Sequence, residues 1–289
     1  MHLLTVSDLS LSYIIKLLDR ASYMKTYKGD MMKHKILTTI FYEPSTRTSC
    51  SFQAAMLKLG GSVINVNVDQ SSIKKGESLE DTIRTMSCYS DCIVIRHPNK
   101  SFVTEASKVS SKPIINAGDG DGEHPTQALL DLFTIQNELG RIESMTITIV
   151  GDLKYGRTVH SLVKLLTFFN NIKLIYISPK ELSMPDEIIQ YVSLEQRTDL
   201  SIEEAIKITD VLYVTRIQKE RFDSNIEPIV INANLMKLAK KNMIVMHPLP
   251  RLTELSTDMD SDPRSAYFRQ MENGMYMRMA ILENMLMDF

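Results

Sequence analysis

What constrains this chain most is an alternation that recurs along its length: short, continuous apolar runs of strand length, each followed by a segment with helical spacing. Ile36–Tyr42, Cys92–Ile95, Thr146–Val150 and Val211–Thr215 are such runs. A strand that is apolar on both sides must be covered on both faces, and the arrangement that does this is a parallel sheet flanked by helices. Ser7 is read as the cap of a first helix reaching about Tyr27, with Leu11, Ile14, Ile15, Leu18 and Ala21 on its apolar face. Phe52, Ala55, Met56 and Leu59 form the inward side of a second helix, which Gly60-Gly61 stops. Strands are expected at Val63–Val68 and Ile114–Ile115, and helices over Leu79–Tyr89, Val103–Val109 and Pro125–Leu139.

Gly140 ends the last of these helices, and the alternation then restarts. A helix over Arg157–Phe169 and a strand at Leu174–Ile177 follow the Thr146–Val150 run. Helices Pro185–Val192, Ile202–Ile208 and Leu235–Lys241, a strand at Met243–Met246, and two closing helices near Ala266–Met271 and Met275–Met287 complete the pattern. At 289 residues the chain is long enough for two cores. The expected fold class is α/β, with two doubly wound parallel-sheet domains linked by a long helix and an active site in the interdomain cleft. The domains are placed at residues 1–130, completed by a C-terminal helix over 274–289, and at residues 140–270.

Composition narrows the partners. A net charge of −2 gives no global attraction to nucleic acid or to an acidic membrane, and no apolar run is long enough to span a bilayer. The first residues do not read as a signal peptide. Three cysteines, Cys50, Cys88 and Cys92, are too few and odd in number for a disulfide framework. Cys88 and Cys92 have no other soft ligands nearby, so no metal is expected. A reduced, cytoplasmic protein is the expectation.

Chemistry concentrates at strand ends. Phe41-Tyr42-Glu43-Pro44-Ser45-Thr46-Arg47-Thr48 turns a buried strand into a helix. A helix N-terminus offers free N–H groups and partial positive charge; Ser45, Thr46 and Thr48 add hydroxyls, and Arg47 a fork of donors suited to phosphate. Two readings fit: an anion site, or ordinary capping with Arg47 in solvent. Arg96 follows the Cys92–Ile95 run, and His124-Pro125-Thr126-Gln127 follows a Gly-rich loop. Together they would bind a carbonyl oxygen and an amide beside a phosphate; singly, His124 reads equally as a loop histidine and Gln127 as a helix-surface residue. In the second half, Gly151 and Gly156 are spaced unlike a dinucleotide fingerprint, which argues against an oxidoreductase. Arg157 in the first turn of a helix suits a carboxylate, and Arg216 and Gln218, two apart, face one way on extended chain. His247-Pro248-Leu249-Pro250-Arg251 reads either as a structural turn or as a stiff segment presenting carbonyls to a ligand amine.

In their order these segments resemble the catalytic chains of aspartate carbamoyltransferases. The matching pieces are Ser45-Thr46-Arg47-Thr48, Lys74-Lys75-Gly76-Glu77, Arg96-His97-Pro98, Asn116-Ala117-Gly118-Asp119-Gly120 and His124-Pro125-Thr126-Gln127. Gly151 to Ser161, Thr215-Arg216-Ile217-Gln218-Lys219-Glu220-Arg221 and His247-Pro248-Leu249-Pro250-Arg251 continue the likeness over nearly the whole chain. The resemblance implies a transferase that joins carbamoyl phosphate to L-aspartate in pyrimidine biosynthesis, with ordered binding, domain closure and no cofactor. It implies that Ser45, Thr46, Arg47, Thr48, Arg96 and His124 hold the phosphate and carbonyl oxygen, and that Gln127, Pro248 and Leu249 hold the carbamoyl amide. Arg157, Arg216 and Gln218 would take the carboxylates of aspartate. Ser71 and Lys75 would reach into a neighbouring subunit's site, Lys75 touching both substrates, in a homotrimer that in some members joins regulatory chains in a dodecamer. Arg47, Thr48, Lys75, Arg96 and His124 would be the catalytic set. One departure stands out: the family usually carries a second arginine where this chain has Ser49. An ornithine enzyme would need an acidic group in place of Arg216, and a non-catalytic relative would have lost Arg96, His124 or Lys75.

Overall fold

Every strand pairing among the described residues is parallel, and the strands pair by register across long sequence gaps. A computed structural model describes residues 1–71, 75–218 and 226–287. Two units divide it: residues 1–130 with 272–289, and residues 131–271. In the first, β1 (Ile36–Phe41), β2 (Ser62–Val66), β3 (Cys92–His97) and β4 (Ile114–Asp119) lie in the order β2-β1-β3-β4. The N-terminal chain extends this sheet, because Leu3 bridges Ile115 in parallel. The helices are α1 (Leu11–Met24), α2 (Thr46–Lys58), α3 (Leu79–Tyr89), α4 (Phe102–Val109) and the start of α5 (Pro125–Leu139).

The second unit orders its strands β7-β6-β5-β8-β9. They are β5 (Met145–Val150), β6 (Ile172–Ile177), β7 (Glu195–Arg197), β8 (Val211–Val214) and β9 (Ile244–Met246), with α6 (Arg157–Leu166), α7 (Asp186–Tyr191) and α8 (Ile202–Ala205) between them. Helix α9 (Tyr267–Leu286) closes the chain. Its last turns return to the first unit, where Arg20 pairs with Glu283 at 2.5 Å and Arg278 lies over the Phe52 ring at 5.1 Å.

Periodicity predicts the inward face of α2 well: Phe52, Ala55, Met56 and Leu59 are all fully buried. Each large side chain so buried stabilises by roughly 1.5–3 kcal/mol. Elsewhere the structure corrects the sequence reading. Ser10, not Ser7, caps α1, accepting the Tyr13 N–H at 3.2 Å, while Val6–Asp8 is a separate 3-10 turn. The buried face is Ile14, Leu17, Leu18, Ala21 and Met24, while Leu11 and Ile15 are exposed: the stripe lies one position round from the expected one. Leu235–Lys241 shrinks to a 3-10 turn over Leu235–Leu238. The two closing helices are one, because Gly274 continues the helix beside Leu130 and Arg278, where a Cβ would come within 3.0 Å of Leu130 Cδ2. Among the described residues no helix is long and apolar enough to cross a membrane.

Candidate active site

In the first unit the polar residues gather at the carboxyl ends of β1, β3 and β4. Phe41 pairs with Arg96 in register, and the Tyr42 N–H donates to the Arg96 carbonyl at 2.9 Å. Arg96 belongs to β3 itself rather than following it. Its side chain is shaped from two sides: Nε donates to Glu43 Oε2 at 3.0 Å, and Nη1 reaches the Ala117 carbonyl at 3.4 Å. A guanidinium held along one edge is fixed in direction, and its planar fork suits an anion with planar or tetrahedral oxygens.

Ser45 is the N-cap of α2, yet its side chain makes no capping bond. Thr46 and Arg47 are exposed and Thr48 is buried. The Ser45 hydroxyl therefore does not take up any of the first N–H groups of α2, where the helix dipole is positive. Ser49, where the resemblance expects arginine, accepts Gln53 Nε2 at 2.9 Å on the same helix.

His97 is buried, stacked on Phe102 at 3.3 Å and edge-on to Tyr42 at 4.7 Å. Burial lowers its pKa, outweighing the Asn99 backbone bond and Glu43, which raise it. Burial pushes the Tyr42 hydroxyl up to about 12, helped by Glu77. These neutral rings form an apolar wall behind the Arg96 end of β3. The loop after β4 folds tightly onto it: the Gly120 N–H donates to the His97 carbonyl at 2.8 Å, and a Cβ on Gly120 would lie 2.4 Å from the Pro98 carbonyl oxygen. That loop delivers His124 and Gln127, both buried, to the start of α5, with His124 Nδ1 3.5 Å from Thr126 Oγ1.

Ser71 and Lys75 lie past the edge strand β2. The Ser71 hydroxyl turns back to the Val68 carbonyl at 2.9 Å, and Lys75 is exposed. Lys74 and Lys219 to Arg221 lie outside the described residues.

In the second unit, β5, β8 and β9 end in polar segments. Gly151 adopts φ 118°, and a Cβ there would sit 2.2 Å from the Thr215 carbonyl oxygen, so the chain after β5 crosses directly over the chain after β8. Thr215 completes the crossing with its N–H on the Val150 carbonyl at 2.8 Å. Arg157 opens α6 and is buried; Arg216 and Gln218 are half-buried. Gln218 Nε2 donates to Asp152 Oδ2 at 3.3 Å, and Asp152 Oδ1 accepts the Tyr155 N–H at 2.9 Å. Spacing in the sequence does not announce the Asp152–Gln218 pair, because the two residues follow different strands.

After β9 the chain folds back on itself. His247 is buried, and its Nδ1 accepts the Leu249 N–H at 2.8 Å. In the neutral ring the proton therefore sits on Nε2, 2.8 Å from Glu254 Oε1. Glu254 is itself buried and also takes the Leu252 N–H at 3.0 Å. Burial alone would raise its pKa; the hydrogen bonds from His247 and from the Glu254 and Leu252 backbone outweigh this and hold it below the usual value. Pro248 and Leu249 are half-buried, and Leu249 stands at φ 54°.

The three cysteines are unpaired, and burial pushes the Cys92 thiol up to about 12, far from a reactive thiolate. Among the described residues no group of three or more His, Cys, Asp or Glu side chains could hold a metal ion.

Residues 1–137 match the family profile described as aspartate/ornithine carbamoyltransferase, carbamoyl-P binding domain, and residues 143–285 match its Asp/Orn binding domain. The multifunctional protein CAD of Squalus acanthias is 54% identical over 279 residues, which are 93% of this chain and 12% of that protein. The aspartate carbamoyltransferase catalytic subunit of Methanococcus vannielii is 46% identical over 301 residues, covering 99% of this chain and 98% of the subunit. The chain thus spans about an eighth of the multifunctional relative and nearly all of the single subunit. A crystal structure of aspartate transcarbamoylase from Trypanosoma cruzi, in complex with carbamoyl aspartate and phosphate, superimposes with a TM-score of 0.94 at 47% identity, covering 99% of this chain and 96% of that one.

Proposed function

The chain belongs to the aspartate/ornithine carbamoyltransferase family, and from that premise we propose that it transfers the carbamoyl group of carbamoyl phosphate to L-aspartate, giving N-carbamoyl-L-aspartate and phosphate. The observation that carries the choice of aspartate is the pair Arg216 and Gln218 after β8, two donors where ornithine's ammonium would need an acid. Asp152, the carboxylate that meets Gln218 among the described residues, accepts from Gln218 and from the Tyr155 N–H. The Trypanosoma cruzi relative was crystallised with this same pair of products, carbamoyl aspartate and phosphate.

The residues divide the work as follows. Ser45, Thr46, Arg47 and Thr48 at the start of α2 bind the phosphate through hydroxyls, guanidinium and helix dipole. Arg96, oriented by Glu43, spans phosphate and carbonyl oxygen. His124 and Thr48 donate to the same oxygen, while Gln127 and the Pro248–Leu249 carbonyls hold the carbamoyl amide. Arg157, Arg216 and Gln218 take the two carboxylates of aspartate. The amine attacks the carbamoyl carbon, a C–N bond forms, and charge builds on the oxygen. The C–O bond to phosphate then breaks and the departing phosphate takes the proton from nitrogen. A single preorganised donor to such an oxyanion is typically worth about 3–4 kcal/mol, and holding both substrates in line supplies much of the remainder.

In its own chain the Ser71 hydroxyl is bound to the Val68 carbonyl and Lys75 is exposed, which is compatible with a trimer in which they serve a neighbour's site. Unpaired cysteines are compatible with a reducing, cytoplasmic setting. The test is a product assay with carbamoyl phosphate, offering aspartate and ornithine in parallel. Carbamoyl aspartate as the sole product is the expected result; citrulline from ornithine would overturn the assignment.

A further inference from the structure

We propose that Glu254, acting through His247, is a positioning residue that sets the Pro248–Leu249 backbone so that the Leu249 carbonyl meets the carbamoyl amide. This role rests on the proposed carbamoyl transfer and deepens it; neither Glu254 nor the His247 side chain is assigned a contact with substrate there.

The geometry points this way from three independent sides. First, the loop after β9 is closed by side chains rather than by a ladder. His247 Nδ1 takes the Leu249 N–H at 2.8 Å, and Glu254 Oε1 takes both His247 Nε2–H at 2.8 Å and the Leu252 N–H at 3.0 Å. Second, Leu249 sits at φ 54°, in the left-handed region. A leucine stays there only where its surroundings hold it, and such residues cluster at ligand sites. The bond from its own N–H to His247 is a holding contact of that kind. Third, both side chains are almost completely buried, at 1% exposure for His247 and 3% for Glu254. A carboxylate is retained in such a place only when its acceptors are used, and the bonds from His247 and Leu252 use them on the loop.

The relay has a direction. The Leu249 N–H must find its acceptor at Nδ1, which requires the ring proton on Nε2, and Glu254 is what makes that tautomer favourable. Without Glu254 the ring is free to flip or to move its proton to Nδ1. Two donors would then oppose each other at the Leu249 N–H, the Pro248–Leu249 peptide would rotate, and the Leu249 backbone torsions that aim its carbonyl would no longer be held. A ring that orients a backbone amide, itself oriented by a carboxylate, is the same arrangement by which carboxylates fix catalytic or ligating histidines elsewhere.

The test separates this role from a merely structural one by using two ligands that share a phosphate. Only carbamoyl phosphate has an amide for Leu249; inorganic phosphate does not. Binding of each is measured by calorimetry on the folded assembly of wild type, Glu254→Ala, Glu254→Asp and Glu254→Gln. Glu254→Ala is expected to weaken carbamoyl phosphate about tenfold while leaving phosphate within about twofold. Glu254→Asp, one methylene short, shows the same selective loss to a smaller degree and serves where the alanine variant does not fold. Glu254→Gln, whose amide oxygen still accepts from Nε2–H, stays within about threefold for both ligands. Equal loss of both ligands, or no loss of either in Glu254→Ala and Glu254→Asp, overturns the proposal. A wild type that binds phosphate but not carbamoyl phosphate would overturn the functional reading beneath it.

Discussion

Gln218 and Asp152 are 66 residues apart in the chain and joined side chain to side chain at 3.3 Å. The same carboxylate fixes the Tyr155 N–H, so one buried acid orients both the amide after β8 and the turn that leads into Arg157. Replacing Asp152 by Asn would face an amide N–H2 against Gln218 or release Tyr155. The aspartate KM of Asp152→Asn is expected to rise roughly tenfold, with the carbamoyl phosphate KM within about twofold, as steady-state kinetics with each substrate varied in turn would show.

Arg216→Ala removes a charged donor instead of misplacing a neutral one. A charge-assisted bond to a carboxylate is worth more than a neutral one, so a rise in aspartate KM of about 10- to 100-fold is expected. Carbamoyl phosphate binding, measured by calorimetry in the absence of aspartate, should be unchanged.

Gly151→Ala tests the strand crossing without touching a polar group. The new Cβ would meet the Thr215 carbonyl at 2.2 Å, and φ 118° is unfavourable to any side chain. A loss of about 2–4 kcal/mol in urea unfolding is expected. An alanine variant as stable as wild type would mean the chain after β8 has room to retreat.

Tyr213→Phe addresses a buried network in the second unit. Asp131 accepts the Tyr213 hydroxyl at 2.7 Å and Gln270 Nε2 at 2.7 Å, and Gln270 Oε1 takes the His247 N–H at 2.9 Å. Removing one donor from a fully buried carboxylate is expected to cost about 1–3 kcal/mol, read from the midpoint shift in urea.

Acid sensitivity follows from Asp260. Bonds from Arg251 and from the Tyr267 hydroxyl hold its pKa down to about 2, against an ordinary 3.8. A carboxyl depressed in the folded state contributes stability that is full above 3.8 and lost as pH falls toward 2. Asp260→Asn should therefore show a shallower decline in stability across that window than wild type, in urea titrations at stepped pH.

Much of the fold is legible in the sequence because its strong signals are local. The extents of α3 and α5 follow from apolar spacing bounded by Ser78 and by Pro125 and Gly140. The misreadings are equally physical. Ser7 and Ser10 are both good caps, and only packing selects Ser10. Strand β7, Glu-Gln-Arg, pairs with β6 at a sheet edge and carries no apolar alternation to announce it. Asn273-Gly274 looks like a helix stop but continues α9 because glycine is the residue that clears Leu130 and Arg278. The same division runs through the candidate site. Arg96, His124, Arg157 and Arg216 are visible as strand-end and helix-start residues. Glu43, Asp152 and Glu254, which orient them or the nearby backbone, are visible only once β1 stands beside β3, β5 beside β8, and the loop after β9 has closed.

Helix α9 gives the order of synthesis a meaning. Residues 1–130 leave the ribosome long before Glu272–Phe289, yet Met277, Ala280, Ile281 and Leu282 fill the core that those early residues begin, and Glu283 waits for Arg20 across 263 positions. The first unit to be translated is the last to be completed, so its unfinished apolar face has to be carried through the making of the entire second unit.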